Sequence, residues 1–551
     1  MQALKKLAGC VAVTALLAAS TGLAAAVEPP SVPPGPAPPD PPPAPDQPMH
    51  QVAGCTRTAV IPGSDFRDLP PALDLMNMPA AWNQSTGAGV VIGVIDTGVA
   101  PSSRLPHLVA GGDYVMGPYG DGLQDCDAHG TVIASLIGAA PSGAELASRP
   151  RGAVPAPPPP AAPPPQPIPP PPPPPTVTVT STATPAPVTV QAPPPPPPPD
   201  APNWITSSGV ARGGPGMPVP RQPPPGGGPD GLIGVAPEAV IVSIRQSSHT
   251  FGPVNPIIEA DPEAAQRAGD INSLARAIVH AANLGVKVIN ISVVACLPAA
   301  APADQAPLGA ALRYAAVDRD VVIVTAAGNA GESGCKQNPD PVPADQTDPL
   351  GWNSVTTVAT PAWFNDYVLS VSATDSLGVP LSGQAASLHG PWVGLAAPGA
   401  DIVGLSTDGQ VINSSIDTTG GSGDTLKPIA GSSFSSAFVA GVAALVRAKY
   451  PGLSAHQVIH RLQATAHPPA GGRDTVVGYG VVDPVAALTW DVPPGDPLAS
   501  GAKAAPLRVP PPPPPPDPWP RRVAVAGTAG AVVLVGALVW IVTVTRRRRQ
   551  Q

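Results

Sequence analysis

Aromatic side chains are scarce, 3% of 551 residues, and Ala, Val and Gly dominate, so any core must be built from small aliphatic groups rather than rings. The apolar-patterned region lacks a basic patch and the net charge is -8, which argues against nucleic acid as a partner. Cysteine is sparse, with five in the chain. The crowded group Asp125, Cys126, Asp127 and His129 has no zinc-type spacing around it, so neither a metal nor a cofactor is expected. Proline, by contrast, is abundant. With 87 prolines much of the chain cannot be packed core, and the folded part must be smaller than the length implies.

The two ends are the most apolar parts. Residues 1–26 carry Lys5 and Lys6, then an apolar run over 7–19, then Ala24, Ala25 and Ala26, the pattern of a secretory signal that leaves a mature chain beginning near Val27. Leu7, Ala8 and Gly9 before Cys10 resemble a lipoprotein cleavage box, but the apolar region follows Cys10 instead of preceding it. Residues 523–545 are uncharged, long enough for the about 20 residues that a membrane-spanning helix needs. Arg546 to Arg549 follow at once, which places the tail 546–551 in the cytoplasm and the bulk of the chain outside. Export leaves Cys55, Cys126, Cys296 and Cys335 in an oxidising compartment, where two disulfides are expected and three pairings are possible.

Between the ends, a proline-rich lead and a less biased segment make an N-terminal extension, 27–85. A domain follows over 86–490, interrupted by a proline-rich insertion at 141–230 that has no means of burying a core and reads as extended polyproline II. Strand patterns at 90–95, 240–244, 286–294, 321–325 and 367–371 alternate with helix patterns at 131–137, 270–284, 308–317 and 454–465. That alternation predicts an α/β fold, a parallel sheet with helices on both faces. Residues 485–490 close the domain, and the proline-rich stretch 491–522 reads as a semi-rigid stalk leading to the apolar span.

Four points in this domain carry chemistry. Asp96 ends the first strand, His129 opens a helix, Asn329 follows the strand 321–325, and Ser433 stands where the apolar helix run 438–450 begins. A serine before such a run is ordinarily an N-cap, Asp96 alone a strand-end turn residue, and Asn329 alone a turn former. Together they are the set that nucleophilic catalysis requires: a hydroxyl, an imidazole to take its proton, a carboxylate to hold the imidazole, and an amide to stabilise an oxyanion.

The blocks Val94 to Gly98, His129 to Thr131, Ala327 to Asn329 and Gly431 to Ser433 resemble, in order, the four signature blocks of the subtilisin-like serine proteases. Gly234 to Pro237 and Ala396 to Ile402 also resemble that family, over about residues 82–488. With the signal, the extension, the insertion, the stalk and the terminal span, the chain resembles the mycosins, membrane-anchored subtilisin-like proteases of mycobacterial type VII secretion systems. The resemblance implies a serine endopeptidase on the periplasmic side that cleaves protein or peptide substrates and stabilises the secretion membrane complex. It implies Asp96, His129 and Ser433 as catalytic residues, Asn329 as oxyanion donor, and Ser292 and Val293 along the bound substrate. It also implies Cys55 paired with Cys126 and Cys296 with Cys335. A bond from Cys55 to Cys126 would make the extension a permanent wrap rather than a released propeptide. Three positions depart from the family pattern: Ser432 replaces a usual Thr, Ala437 a usual Pro and Val294 a usual Gly.

Overall fold

The first strong strand pattern, Val91–Asp96 (β1), becomes an interior strand of a seven-stranded parallel sheet. The computed structural model describes residues 27, 29–142, 230–255, 262–300, 303–332, 334–341, 347–417, 425–499 and 518–548, with 262–269 and 518–532 described through their backbone. The expected signal 1–26, nearly all of the proline-rich insertion, the stalk from 500 to 517 and the last three residues lie outside the described residues.

The other strands are Leu108–Asp113 (β2), Val240–Arg245 (β3), Val288–Ile291 (β4), Val322–Ala326 (β5), Val368–Thr374 (β6) and Val393–Pro398 (β7), in the spatial order β7-β6-β5-β4-β1-β3-β2. The strands are apolar on both faces because both faces are covered. Ile92 and Val94 of β1, Val322 and Val324 of β5, and Leu369 and Val371 of β6 enter one core layer, whereas Ile95, Ile323 and Val368 enter the other. The first layer is closed by the helices His129–Gly138 (α1) and Ser432–Lys449 (α3), the second by Pro262–Asn283 (α2). Residues 432–447 of α3 are all buried. Only small side chains allow that: Gly441 lies so close to Val235 that an added Cβ would sit 2.6 Å from its Cβ. Rings nevertheless reach the interior, Trp392, Tyr367 and Phe438 among them.

Three expectations change. The strand pattern at 286–294 yields a strand over Val288–Ile291 only; the chain then leaves the sheet, and Ala295–Pro298 pairs antiparallel with Thr357–Thr360. Ser292 and Val293 therefore lie beyond the strand end and not within it. The helix pattern at 308–317 divides into Ala306–Arg313 and a wider turn, Tyr314–Asp318. Strands β2 and β7 had no strand assignment from sequence, because glycines, alanines and a proline dilute their β-branched signal.

The extension is built into the domain. Asp40 accepts from Asn283 and meets His280, Asp46 meets Arg276, and Pro43 lies against Gly112. Met49–Gln51 pairs with Phe251–Pro253, and Thr58–Ala59 with Ser414–Asp417. Disulfides join Cys55 to Cys126 and Cys296 to Cys335, with Cα atoms 4.6 and 5.1 Å apart. The first closes a span of 71 residues, for which chain entropy gives about 4 kcal/mol of stabilisation. Replacing Cys55 and Cys126 by Ser is expected to lower the urea midpoint of the domain accordingly; an unchanged midpoint would show that the extension is held by its other contacts alone.

Residues 504–551 fall in a separate unit, of which the helix Pro518–Arg548 is described. Among the described residues no helix is long and apolar enough to cross a membrane, and the side chains of the first half of this one are not among them. Those of the second half are described: Val533, Leu534, Val535, Leu538, Val539, Trp540, Ile541 and Val542 are exposed.

Candidate active site

All four chemical groups singled out in the sequence lie at the carboxyl end of the sheet. In open α/β sheets that edge is where ligands bind. Asp96 is the last residue of β1 and is fully buried. Its Oδ1 accepts from the Thr97 backbone N-H at 2.7 Å and faces His129 Nδ1 at 2.7 Å. The proton of a neutral His129 is therefore held on Nδ1, which leaves Nε2 as a lone-pair acceptor. This close pairing needs glycines. A Cβ on Gly130 would lie 2.0 Å from the Gly98 carbonyl oxygen, so the strand-end loop and the start of α1 touch only because the side chain is missing. Ala128, just before the imidazole, has φ 62°, a left-handed conformation that a non-glycine residue holds only under constraint.

Asp125 supplies part of that constraint. Its Oδ2 accepts from Thr131 N-H and Oγ at 2.8 and 2.7 Å, and its Oδ1 from the Thr97 hydroxyl at 2.9 Å, while the Thr97 Oγ accepts from Gly130 N-H. Burial pushes the Asp125 carboxyl up to about 6, against these hydrogen bonds. The sequence drew attention to Asp125 only as a possible metal neighbour. Its positioning of the His129 loop is visible only once Thr97 and Thr131 are brought together, although the Asp-x-x-x-His-x-Thr spacing was available. Among the described residues no group of three His, Cys, Asp or Glu side chains is disposed to hold a metal.

Ser433 is the second residue of α3 and is nearly buried. The helix is capped by Gly431, with no side-chain cap, so neither serine serves as the N-cap. The positive pole of the helix dipole lies at this end, where the Phe434 N-H donates to the Gly431 carbonyl at 3.2 Å. The Ser433 hydroxyl donates to the Ser292 carbonyl at 3.2 Å. His129 is close by: its ring centroid lies 5.3 Å from that of Phe434, the residue after Ser433. Ser292 is thus placed against the serine, and Asn290 Nδ2 donates to its hydroxyl at 2.7 Å; Val293 and Val294 are half-buried beside it.

Asn329 follows β5. Its Oδ1 accepts both the backbone N-H and the hydroxyl of Ser432, at 2.9 and 3.0 Å. The serine at the position where the family pattern has Thr therefore keeps the hydroxyl that orients the amide. Gly431 leaves room for that amide, since an added Cβ would approach Asn329 Nδ2 to 3.2 Å. Asn329 Nδ2 donates to Glu332 Oε1 at 2.7 Å. Glu332 had no role in the sequence reading, for nothing in its neighbourhood marks a glutamate three residues past a turn asparagine.

The imidazole lies under three carboxylates. Burial lowers the proton affinity of His129, but the Asp96 charge and hydrogen bond, then the charges of Asp125 and Glu332, overcome it and raise the pKa to about 9. Its side chain is 31% exposed, so a ligand has access to it. An oriented imidazole beside a helix-terminal hydroxyl, with an amide across the same opening, is suited to acyl transfer.

The profile of the Subtilase family matches residues 213–480, which include Asn329 and Ser433. The chain is 50% identical over 575 residues to Mycosin-5 of Mycobacterium tuberculosis, covering 99% of this chain and 97% of that one. It is 53% identical over 495 residues to Mycosin-2 of the same organism, covering 89% and 88%. Among solved structures it is similar to MycP1 from the ESX-1 type VII secretion system (38% identity, TM-score 0.67, 86% of this chain and 98% of that one). It is similar also to a chain of an intact ESX-5 inner membrane complex (45% identity, TM-score 0.67, 94% and 100%).

Proposed function

The chain belongs to the mycosins, within the subtilase family, and on that premise we propose that it is a membrane-anchored serine endopeptidase of a type VII secretion system. Ser433 is the nucleophile, His129 the base and Asp96 its orienting acid. The 2.7 Å contact between Asp96 Oδ1 and His129 Nδ1, facing the start of α3, carries this assignment.

A substrate peptide lies extended along Ser292 and Val293, with main-chain hydrogen bonds holding it and its scissile carbonyl beside Ser433. The Ser433 hydroxyl turns from the Ser292 carbonyl to His129 Nε2. As its Oγ bonds to the carbonyl carbon, the proton passes to Nε2 and the carbonyl electron pair moves to oxygen. The Ser433 N-H and Asn329 Nδ2 donate to that oxyanion. His129 then gives the proton to the leaving amine as the C-N bond breaks, and water attacking the acyl-enzyme repeats the sequence. Asp96 stabilises the imidazolium at each stage without taking its proton.

The helix Pro518–Arg548 supports the anchor. It is about 46 Å long at helical rise, and its described half is lined with exposed apolar residues. The hydroxyls of Thr543 and Thr545 donate to their own helix's carbonyls, as an apolar surrounding demands. Arg546, Arg547 and Arg548 then mark the cytoplasmic end, and the protease domain faces the periplasmic side. Association with a type VII secretion membrane complex is supported by the similarity to a chain solved within one. A second reading, a protease fold serving mainly as a scaffold of that complex, is favoured by two contacts: the Ser433 hydroxyl rests on Ser292 and the Asn329 amide on Glu332.

A fluorophosphonate probe separates an armed site from a silent one. The adduct is expected on Ser433, and its rate of formation is expected to rise with pH through about 9. Below that value His129 is protonated and has no lone pair for the serine proton; above it the free base is present. The same raised affinity means that the contribution of the His129-Asp96 pair to stability is complete below 6.5 and is lost as pH rises through about 9. An adduct on another residue, or a rate flat from about pH 6 to pH 10, would overturn the assignment of nucleophile or base.

A further inference from the structure

We propose that Glu332 is an autoinhibitory latch: its carboxylate occupies the amide donor of Asn329 and must leave it before an oxyanion is stabilised. The proposal rests on the catalytic assignment above and deepens it.

The contact is built into the loop. Glu332 N-H donates to the Asn329 carbonyl at 3.0 Å, and Cys335 N-H donates to the Glu332 carbonyl at 3.0 Å. Cys335 is bonded to Cys296, four residues past Ser292. The backbone of Glu332 is therefore tied to both the amide it covers and the segment that carries the substrate. Its side chain, by contrast, is exposed, free to swing out without breaking the loop. Ser432 takes both acceptor positions of Asn329 Oδ1, so the amide projects its Nδ2 toward Glu332 at 2.7 Å.

A carboxylate at that place opposes catalysis in two ways. It accepts the hydrogen bond that the transition state requires, and its charge repels the negative charge that would develop there. It also adds to the proton affinity of His129. The charged groups around that imidazole are Asp96 at the end of β1, Asp125 on the loop before α1 and Glu332 on the loop after β5. From α3 the neighbour is the neutral Phe434 ring. Asp127 turns its carboxylate to Ser248 and the His249 N-H. Of the three, Asp96 and Asp125 are locked by hydrogen bonds within the loop and helix, and Glu332 alone has a side chain free to move.

The test uses the full-length chain in detergent and a fluorophosphonate probe. In that reaction the Ser433 Oγ-P bond forms, fluoride leaves with the P-F electron pair, the serine proton goes to His129, and the phosphonyl oxygen enters the oxyanion site. If Glu332 holds the amide about nine-tenths of the time, Glu332→Ala should label about 10-fold faster near neutral pH. Glu332→Gln keeps an oxygen for the amide but removes the charge, so it should gain less rate while its pH midpoint, like that of Glu332→Ala, falls below the wild-type value. A Glu332→Ala protein that labels Ser433 at the wild-type rate or slower, with an unchanged midpoint, overturns the latch and leaves the nucleophile assignment intact. Absence of Ser433 labelling in all three forms would sink the catalytic assignment and the latch with it.

Discussion

Ser433→Ala is expected to lower kcat/KM for peptide cleavage by about a million-fold, a size taken from subtilisin, a related enzyme. The expectation follows from the site's construction. His129 and Asp96 can accept and stabilise a proton, but without Oγ they have no hydroxyl to activate, and water is not held in its place. The substitution costs little structurally. It removes one hydrogen bond, to the Ser292 carbonyl, for which about 1 kcal/mol is typical, and the surrounding helix is packed by other residues. Circular dichroism and the thermal midpoint should therefore stay near wild type while turnover disappears. A variant that still cleaves at one-hundredth of the wild-type rate or more would exclude Ser433 as nucleophile. The same variant separates catalysis from assembly in cells. Secretion that survives Ser433→Ala but not deletion of the chain would make scaffolding the main contribution.

Asp96→Asn is expected to lower kcat about ten-thousand-fold, the scale on which an orienting aspartate acts in serine proteases. Its carboxylate is fully buried, and one oxygen, Oδ1, takes both the Thr97 N-H and the His129 ring. An asparagine of the same shape can still accept one of these bonds, but an amide NH2 facing His129 forces the other tautomer, with the proton on Nε2 where the base must be empty. The stability effect is smaller and depends on pH. Among the described residues Asp96 Oδ2 is buried without a partner, an arrangement that costs folding energy and is kept for its chemistry. Asp96→Asn relieves that cost but also forfeits the charge pairing with His129, so its unfolding temperature should match the wild type above about pH 9 and fall modestly below it at lower pH. A loss of less than about 10-fold, or a large loss of stability with it, would mean that Asp96 acts through the fold and not through His129.

Much of the proposed site was legible in the chain because each group assigned to it lies at the end of a strong local pattern. Val91–Asp96 is a β-branched run that stops at a carboxylate, and α3 is an apolar run that starts at a hydroxyl. Patterns failed where tertiary contacts decide. The run at 286–294 is rich in Val and Ile on both sides of Ile291, yet after Ile291 its backbone turns toward Ser433 and then to Thr357–Thr360, a choice no residue in the run encodes. The edge strand Leu108–Asp113 contains two glycines and a register shift, so its signal is weak although its pairing is not. Asp125 and Glu332 act through partners 28 residues away or on a neighbouring turn, and the residue type alone did not distinguish them from surface carboxylates. From sequence the proline-rich lead is only part of an extension wrapped on the domain, with no contacts assigned to it. It is docked because Asp40 and Asp46 meet His280 and Arg276 of α2, ion pairs that composition leaves unassigned.

Burial of nearly all of α3 has one more consequence, for motion. A helix buried from Ser432 to Arg447 opens to solvent only when the core layer around it opens, so its amide hydrogens should exchange as slowly as any in the domain. The proposed nucleophile, Ser433, thus rides on an element held still by its burial. Any switching between resting and armed states falls to groups that can turn without disturbing that helix: the hydroxyl of Ser433, the imidazole edge of His129 and the side chain of Glu332. Under the proposed latch, regulation would be fast and local, a matter of rotamers rather than of domain movement.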